Sequence, residues 1–149
     1  MSEITTKTFS ELSTQELYDF LKLRSEVFVV EQDCVYQDLD GKDKKAIHIL
    51  LYKNEILVAY TRVFRGGDYF NIASIGRVVV KKNERKYGYG KLIMYASIKY
   101  IKENIKNSQI QISAQTYLIK FYNSLGFIEE GKEYLEDDIS HIKMILTFL

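Results

Sequence analysis

Proline and tryptophan are both missing from this 149-residue sequence, while cysteine occurs once and histidine twice. The first two absences carry no functional conclusion; the scarcity of the others does. A lone Cys34 cannot close an internal disulfide and fits a reducing compartment. One cysteine and two histidines at unrelated spacings (His48 and His141) cannot build a metal cluster, so no metal is expected. Apolar runs stop after a few residues, as in Val27-Phe28-Val29-Val30, too short to span a membrane. The polar start Met1-Ser2-Glu3 has no apolar core of a secretory leader, and a cytoplasmic location is expected. No strand carries a stripe of interleaved basic and aromatic residues, so nucleic acid is not an expected partner.

What is present is ordinary for a globular chain: 46% hydrophobic and 28% charged residues. The length fits one domain over residues 1–149. The net charge of +1 hides a segregation. Residues 1–40 hold nine acids against three bases, residues 41–128 sixteen bases against five acids, and residues 129–149 six acids against two bases. A basic middle suits a polyanionic cofactor, and acidic ends suit a cationic substrate. Twelve tyrosines can pair chains or simply pack, so a homodimer stays open.

The patterning alternates between strand and helix periods. Residues 4–9 read as a strand. Ser13-Thr14-Gln15-Glu16 is a capping box that opens a helix carrying Leu17, Phe20, Leu21, Val27 and Phe28. The acid-rich stretch 31–43 reads as a loop with at most a short helical turn. Strands at 46–52 and 56–64 flank a hairpin turn at Lys53-Asn54-Glu55. A strand follows at 72–80, then a helix at 88–105 and a short strand at 110–113. Thr116 is placed to cap a helix that ends at Leu125 before Gly126. Strands at 128–134 and 139–148 close the chain. Antiparallel strands followed by a βαβ crossover predict an α/β (α+β) fold with a mixed, mostly antiparallel twisted sheet of six to seven strands flanked by helices.

Between the valine-rich strand and the long helix stands Arg85-Lys86-Tyr87-Gly88-Tyr89-Gly90-Lys91. A basic, glycine-spaced loop opening a helix is an anion site, because the first helical amides lack partners and the macrodipole adds positive charge. Its spacing fits neither common phosphate loop. The third glycine of a dinucleotide fingerprint would fall on Ile93, and Gly90-Lys91 is followed by Leu92 rather than Ser or Thr. What remains, Arg-x-x-Gly-x-Gly, resembles the acyl-CoA loop of the GNAT superfamily of N-acetyltransferases. Ala114 followed by Phe121-Tyr122-Asn123-Ser124-Leu125-Gly126-Phe127 is similar to a second superfamily segment. The blocks Leu23 through Gln32, Tyr36 through Asp43, Ile75 through Val80, and Ser113 through Ile142 resemble the ElaA-like subfamily.

The resemblance implies the GNAT fold and an acetyl-CoA-dependent N-acetyltransferase. A primary amine, borne by a small molecule or a peptide, would attack the thioester directly in a ternary complex, with no enzyme nucleophile. Val78, Val79 and Val80 would lend backbone groups to the pantetheine arm and the thioester carbonyl. The loop Arg85, Lys86, Tyr87, Gly88, Tyr89, Gly90 and Lys91 would hold the pyrophosphate, with Gln115 and Phe121 also against the cofactor. Tyr122 matches the general acid that would stabilise the departing thiolate. Many members place a glutamate on the strand before the loop, but residues 71–80 contain no acid. The base must come from elsewhere, since deprotonating an amine costs roughly 4–5 kcal/mol at neutral pH. Candidates are Glu26, Glu31, Asp38, Asp40, His48 and His141. Glu31 is singled out because burial after an apolar run would raise its pKa, and His141 because an imidazole is the right kind of group. The missing glutamate keeps a non-catalytic acyl-CoA-binding or sensor module open, and the acyl group transferred can be longer than acetyl.

Overall fold

Ser13 opens the first helix as its spacing predicts. Its Oγ accepts from the Glu16 amide at 3.0 Å, and the Glu16 carboxylate accepts from the Ser13 amide at 2.8 Å. In this computed structural model, which describes residues 2–106 and 108–148, helix α1 spans Thr14–Arg24. Met1 of the polar start lies outside the described residues. Beyond Arg24 the helix does not stop but widens into π-helical turns over Ser25–Glu31, where the Gln32 amide reaches back to the Val27 carbonyl at 3.1 Å.

The strands are β1 (Ser2–Thr8), β2 (Ile47–Lys53), β3 (Ile56–Phe64), β4 (Ala73–Val80), β5 (Gln109–Gln115), β6 (Ile128–Glu136) and β7 (Ile139–Thr147). They form one sheet in the order β1-β2-β3-β4-β5-β7-β6, so the expected mixed sheet has seven strands. Every neighbouring pair is antiparallel except β4 with β5. The β2–β3 turn places Asn54 and Glu55 at φ 50° and 66°, the left-handed conformations a two-residue hairpin requires.

Helix α2 (Tyr89–Asn104) is the crossover between β4 and β5. Its buried face, Ile93, Met94 and Ile101, joins Ile47, Ile49 and Leu51 of β2 in one apolar cluster. On the other side, Phe20 and Leu23 of α1 pack with Leu50, Tyr60 and Val79. Successive β2 residues thus serve opposite layers, which is why that strand reads as a continuous apolar run. Helix α3 is short, Ile119–Ser124. Thr116 does not cap it: that residue lies inside a 3-10 turn, Thr116–Leu118, and Leu118 stands at the helix start. The helix ends as expected, with Gly126 at φ 101°.

The segment from Gln32 to the 3-10 turn Asp43–Lys45 is pinned over the α1 side of the sheet by buried ion pairs. Arg24 meets Asp38 at 2.8 Å and Asp43 at 2.7 Å, Arg62 meets Asp40 at 2.6 Å and Asp43 at 3.0 Å, and Arg77 meets Asp38 at 2.7 Å. His48 sits beneath this network, fully buried and stacked on Phe20 at 4.8 Å between ring centroids. Its Nε2 donates to the Asp43 carbonyl at 2.8 Å, so its Nδ1 accepts from the Tyr60 hydroxyl at 2.6 Å. Burial holds this imidazole below its ordinary value of 6.5; Asp43 opposes it through its carbonyl and its charge, and Arg24 and Arg62 add smaller effects in the same sense as burial.

A neutral buried imidazole makes stability depend on pH. Between 6.5 and the lower native value, the unfolded chain binds a proton that the native protein refuses, so unfolding free energy falls as pH falls. Urea titrations from pH 7.5 to 5 should show that decline, and His48→Gln should flatten it. A slope unchanged in the variant would place the titrating group elsewhere.

Candidate active site

The parallel contact between β4 and β5 lasts only two residue pairs, Ala73 with Ile110 and Ser74 with Gln111. Beyond them the strands diverge, and the facing edges of both lose their ladder partners. A cavity of about 470 Å³ fills the opening near the C-terminal end of β4. Val78, Val79 and Val80 line it from β4, Gln115 from β5, Phe121 and Tyr122 from α3, and Arg85, Gly88, Gly90 and Lys91 from the loop. The first three residues of this loop, Arg85 to Tyr87, end a 3-10 turn, Lys82–Tyr87. Gly88 follows at φ 75°, where a side chain would be strained, and turns the chain into α2. A Cβ on Gly90 would stand 3.4 Å from the Phe121 ring, so the helix start packs directly on α3.

A smaller pocket of about 120 Å³ adjoins this cleft on the α1 side of the sheet. The register explains its polar lining. Ser113 and Gln115 alternate with buried Ile112 and Ala114 on β5, and Gln115 pairs with His141, which in turn pairs with Tyr134. Helix α1 packs chiefly against β3 and β4, so the polar face of these strands stays largely open. The pocket also takes in Cys34, Tyr36, Arg77, Glu136 and Asp137. Cleft and pocket share Phe28, Gln32, Val78, Gln115, Leu118 and Tyr122. Tyr122 is buried at their junction, edge-on to Phe121 and Phe127, and burial pushes its phenol well above the ordinary range.

Between cleft and pocket, β4 carries a bulge. Tyr60 pairs with Val79 and Arg62 with Gly76, so Arg77 and Val78 together oppose Thr61. Arg77 takes φ 47°, an uncommon conformation for a residue with a long side chain, and its guanidinium is tied to Asp38.

This fold recurs in known proteins. Residues 8–148 match the model of the acetyltransferase (GNAT) domain. The chain belongs to the GNAT acetyltransferase family. It is 42% identical to protein ElaA of Escherichia coli over 137 residues, 91% of this chain and 90% of that protein. The crystal structure of Escherichia coli ElaA superposes with a TM-score of 0.91, covering 98% of this chain and 99% of that one at 39% identity. An acyl-CoA N-acyltransferase from Pseudomonas aeruginosa gives a TM-score of 0.89, covering 97% and 99% of the two chains at 35% identity. The PaiA N-acetyltransferase of Thermoplasma acidophilum, solved in complex with coenzyme A, shares the GNAT fold at 13% identity, with a TM-score of 0.73 over 99% of each chain.

Within this GNAT frame the candidates separate. Val78, Val79, Val80, Arg85, Gly88, Gly90, Lys91, Gln115, Phe121 and Tyr122 meet at the cleft. Lys86, Tyr87 and Tyr89 do not line it: Lys86 and Tyr87 are exposed beside it, and Tyr89 packs on the core. Asp38 and Asp40 are occupied by the buried arginines, and His48 lies under them, away from both cavities. Glu26 pairs with Lys81 at 3.3 Å.

Glu31 departs from the reason for choosing it. Its carboxylate forms a two-pronged pair with Arg85, at 2.5 and 2.7 Å, and that contact lowers its pKa where burial was expected to raise it. His141 lines the pocket; its Nδ1 donates to the Ile139 carbonyl at 2.7 Å, and Nε2 lies 3.3 Å from Glu136. Sequence reading overlooked Tyr134, hydrogen-bonded to Ser113, and Tyr36, whose phenol is pushed up to about 12 by burial and by Asp38. Only the two-residue period of the last strands could have pointed to Tyr134. Cys34 also lines the pocket, where desolvation and Asp137, Asp138 and Asp33 hold its thiol up and protonated.

Because Glu31 competes with any anion for Arg85, Glu31→Gln should tighten coenzyme A binding about two- to fivefold, the scale of a partly exposed ion pair. Isothermal calorimetry at low salt reads this directly. Weaker binding in the variant would mean that Glu31 instead aligns Arg85 for the ligand.

Proposed function

We propose that this protein transfers an acetyl group from acetyl-CoA to a primary amine by direct attack in a ternary complex. The observation that supports it most is the meeting of an apolar cleft and a polar pocket at one buried tyrosine. The cleft has the size of a small-ligand site. Its basic mouth, Arg85 and Lys91 with the first amides of α2, suits a pyrophosphate. The pocket carries Glu136 and Asp137, which suit an amine.

In this reading the amine nitrogen forms a bond to the thioester carbon while the C–S bond breaks. Negative charge builds first on the carbonyl oxygen and then on sulfur. The bulge at Arg77 and Val78 leaves backbone groups without sheet partners beside the junction, and an amide there would meet the oxyanion. The Tyr122 phenol, held protonated by burial, would donate a hydrogen bond to the departing thiolate rather than surrender its proton. His141 is the candidate to receive the amine's proton. Its Nδ1 is fixed on the Ile139 carbonyl, which leaves Nε2 to exchange a proton with Glu136 close by. Glu31, engaged by Arg85, is set aside as the base.

The test is release of free CoA thiol from acetyl-CoA in the presence of a panel of primary amines. Tyr122→Phe should lower kcat by roughly a hundredfold with little change in acetyl-CoA affinity. Gly88→Glu should abolish acetyl-CoA binding in calorimetry, because it puts both a strained backbone and a carboxylate where the pyrophosphate would lie. Tight acetyl-CoA binding with no thiol release for any amine would sink the catalytic reading in favour of a binding module. Better use of longer acyl-CoAs would displace acetyl as the transferred group.

A further inference from the structure

The pocket beside Tyr122 does not end at Arg77. A second cavity of about 60 Å³ continues from it under the turn at 65–72, sharing Ile75, Gly76, Arg77, Ser113 and Glu136. Its far wall brings Arg62 and Ser74 together with the rings of Phe64 and Tyr69. Arg62 and Ser74 are 1% and 2% exposed, and among the described residues Arg62 Nε and Ser74 Oγ have no hydrogen-bond partner. Native interiors keep few such groups, and each calls for an explanation. Both terminal nitrogens of the Arg62 guanidinium are engaged by Asp40 and Asp43, so its charge is already met. An arginine Nε–H can only donate, and a serine hydroxyl can donate beside it. One oxygen accepting from both would satisfy the pair.

We propose that this cavity receives a carboxylate or carbonyl oxygen of the amine substrate itself, which makes that substrate an ω-amino acid or ω-amino amide rather than a plain alkylamine. The inference rests on the acetyl-transfer reading. Strand geometry sets the length: Val78 at the junction stands four residue steps along β4 from Ser74, ~13 Å of extended backbone, somewhat less across the bulge. An α-amine lies too close to its own carboxyl group to bridge that span, whereas an amine several methylenes away does not. Glu136, on the wall shared by both cavities, faces the stretch between the two ends.

The test compares ω-amino carboxylates of four, six and eight carbons with the matching ω-amino carboxamides and n-alkylamines, using wild type and Ser74→Ala. Kd is measured by calorimetry on the CoA-saturated protein, and kcat/KM by thiol release from acetyl-CoA. The expected result is at least a tenfold preference for the oxygen-bearing six- or eight-carbon chains, reduced about fivefold or more by Ser74→Ala. The variant should melt no lower than wild type, because the hydroxyl removed has no partner in the free protein. Preference for carboxylate over carboxamide would name a carboxylate as the guest, and the reverse order a carbonyl. Equal handling of alkylamines, a preference untouched by Ser74→Ala, or no binding of any oxygen-bearing probe would overturn the proposal and leave a cavity that holds only water. Ser74-dependent binding without thiol release would support the subsite and sink acetyl transfer. Equal thiol release from all three probe types would do the reverse.

Discussion

Two residue pairs, Ala73 with Ile110 and Ser74 with Gln111, hold the halves of this sheet together at its centre, and the site depends on their being so few. Parallel neighbours need a crossover, here α2, and a crossover helix begins where the preceding strand ends. The glycine turn, the unpaired helix amides and the divergence of β4 from β5 therefore all fall at one end of the sheet. An opening in the middle of a sheet exposes backbone groups that would otherwise pair. The cost is contained because one apolar cluster, built around Ile93, Met94 and Ile101, spans strands on both sides of the gap. The cleft is open at the ligand end and clamped beneath.

The second constraint is electrostatic. Three arginines and three aspartates are taken into or against the interior as a set, Arg24, Arg62 and Arg77 with Asp38, Asp40 and Asp43. Such a set adds little net stability over an apolar replacement, yet losing one member costs about 3–5 kcal/mol because a buried charge is stranded. What it does achieve is position. The 32–46 segment has few apolar anchors of its own, and the ion pairs fix it over β3 and β4, where it supplies Tyr36 to the pocket and holds Arg77 in its left-handed conformation. Bulge and roof are thus coupled through Asp38.

How much of this was legible in the sequence follows from how local each cause is. The capping box at Ser13, the hairpin turn within Lys53-Asn54-Glu55 and the helix end before Gly126 are set by residues within a few positions of one another, and each stands where the sequence reading put it. The π-helical continuation over Ser25–Glu31 was not legible, because nothing in a Val-Phe-Val-Val run distinguishes a widened turn from an ordinary one. Thr116 had the chemistry of a cap, but the chain tightens into a 3-10 turn on leaving β5. The Glu31 pairing joins residues 54 apart in sequence, so its effect on that carboxylate could not be read from neighbours. The bulge at Arg77 has the same character: it reverses which side of the sheet β4 residues face, placing Ile75 with α2 and Val79 with α1, while the sequence shows only an even apolar run.

The two cavities also divide the labour that specificity requires. A cleft lined by valines and aromatic rings gains affinity in proportion to the apolar surface it covers, and it discriminates poorly between ligands differing by a methylene. A pocket about a quarter of its size, walled by Ser113, Gln115, Glu136 and His141, covers little surface and cannot bind tightly on area alone. Its selectivity comes from the penalty of leaving those groups unpaired when the wrong guest enters, which reaches several powers of ten where an apolar wall reaches two. On the proposed reading, the acyl donor would be held largely by shape and charge, and the amine chosen by hydrogen bonds. In that reading the identity of the amine would be written not on the glycine loop but on the alternate residues of β5, β6 and β7, together with the buried polar end of β4.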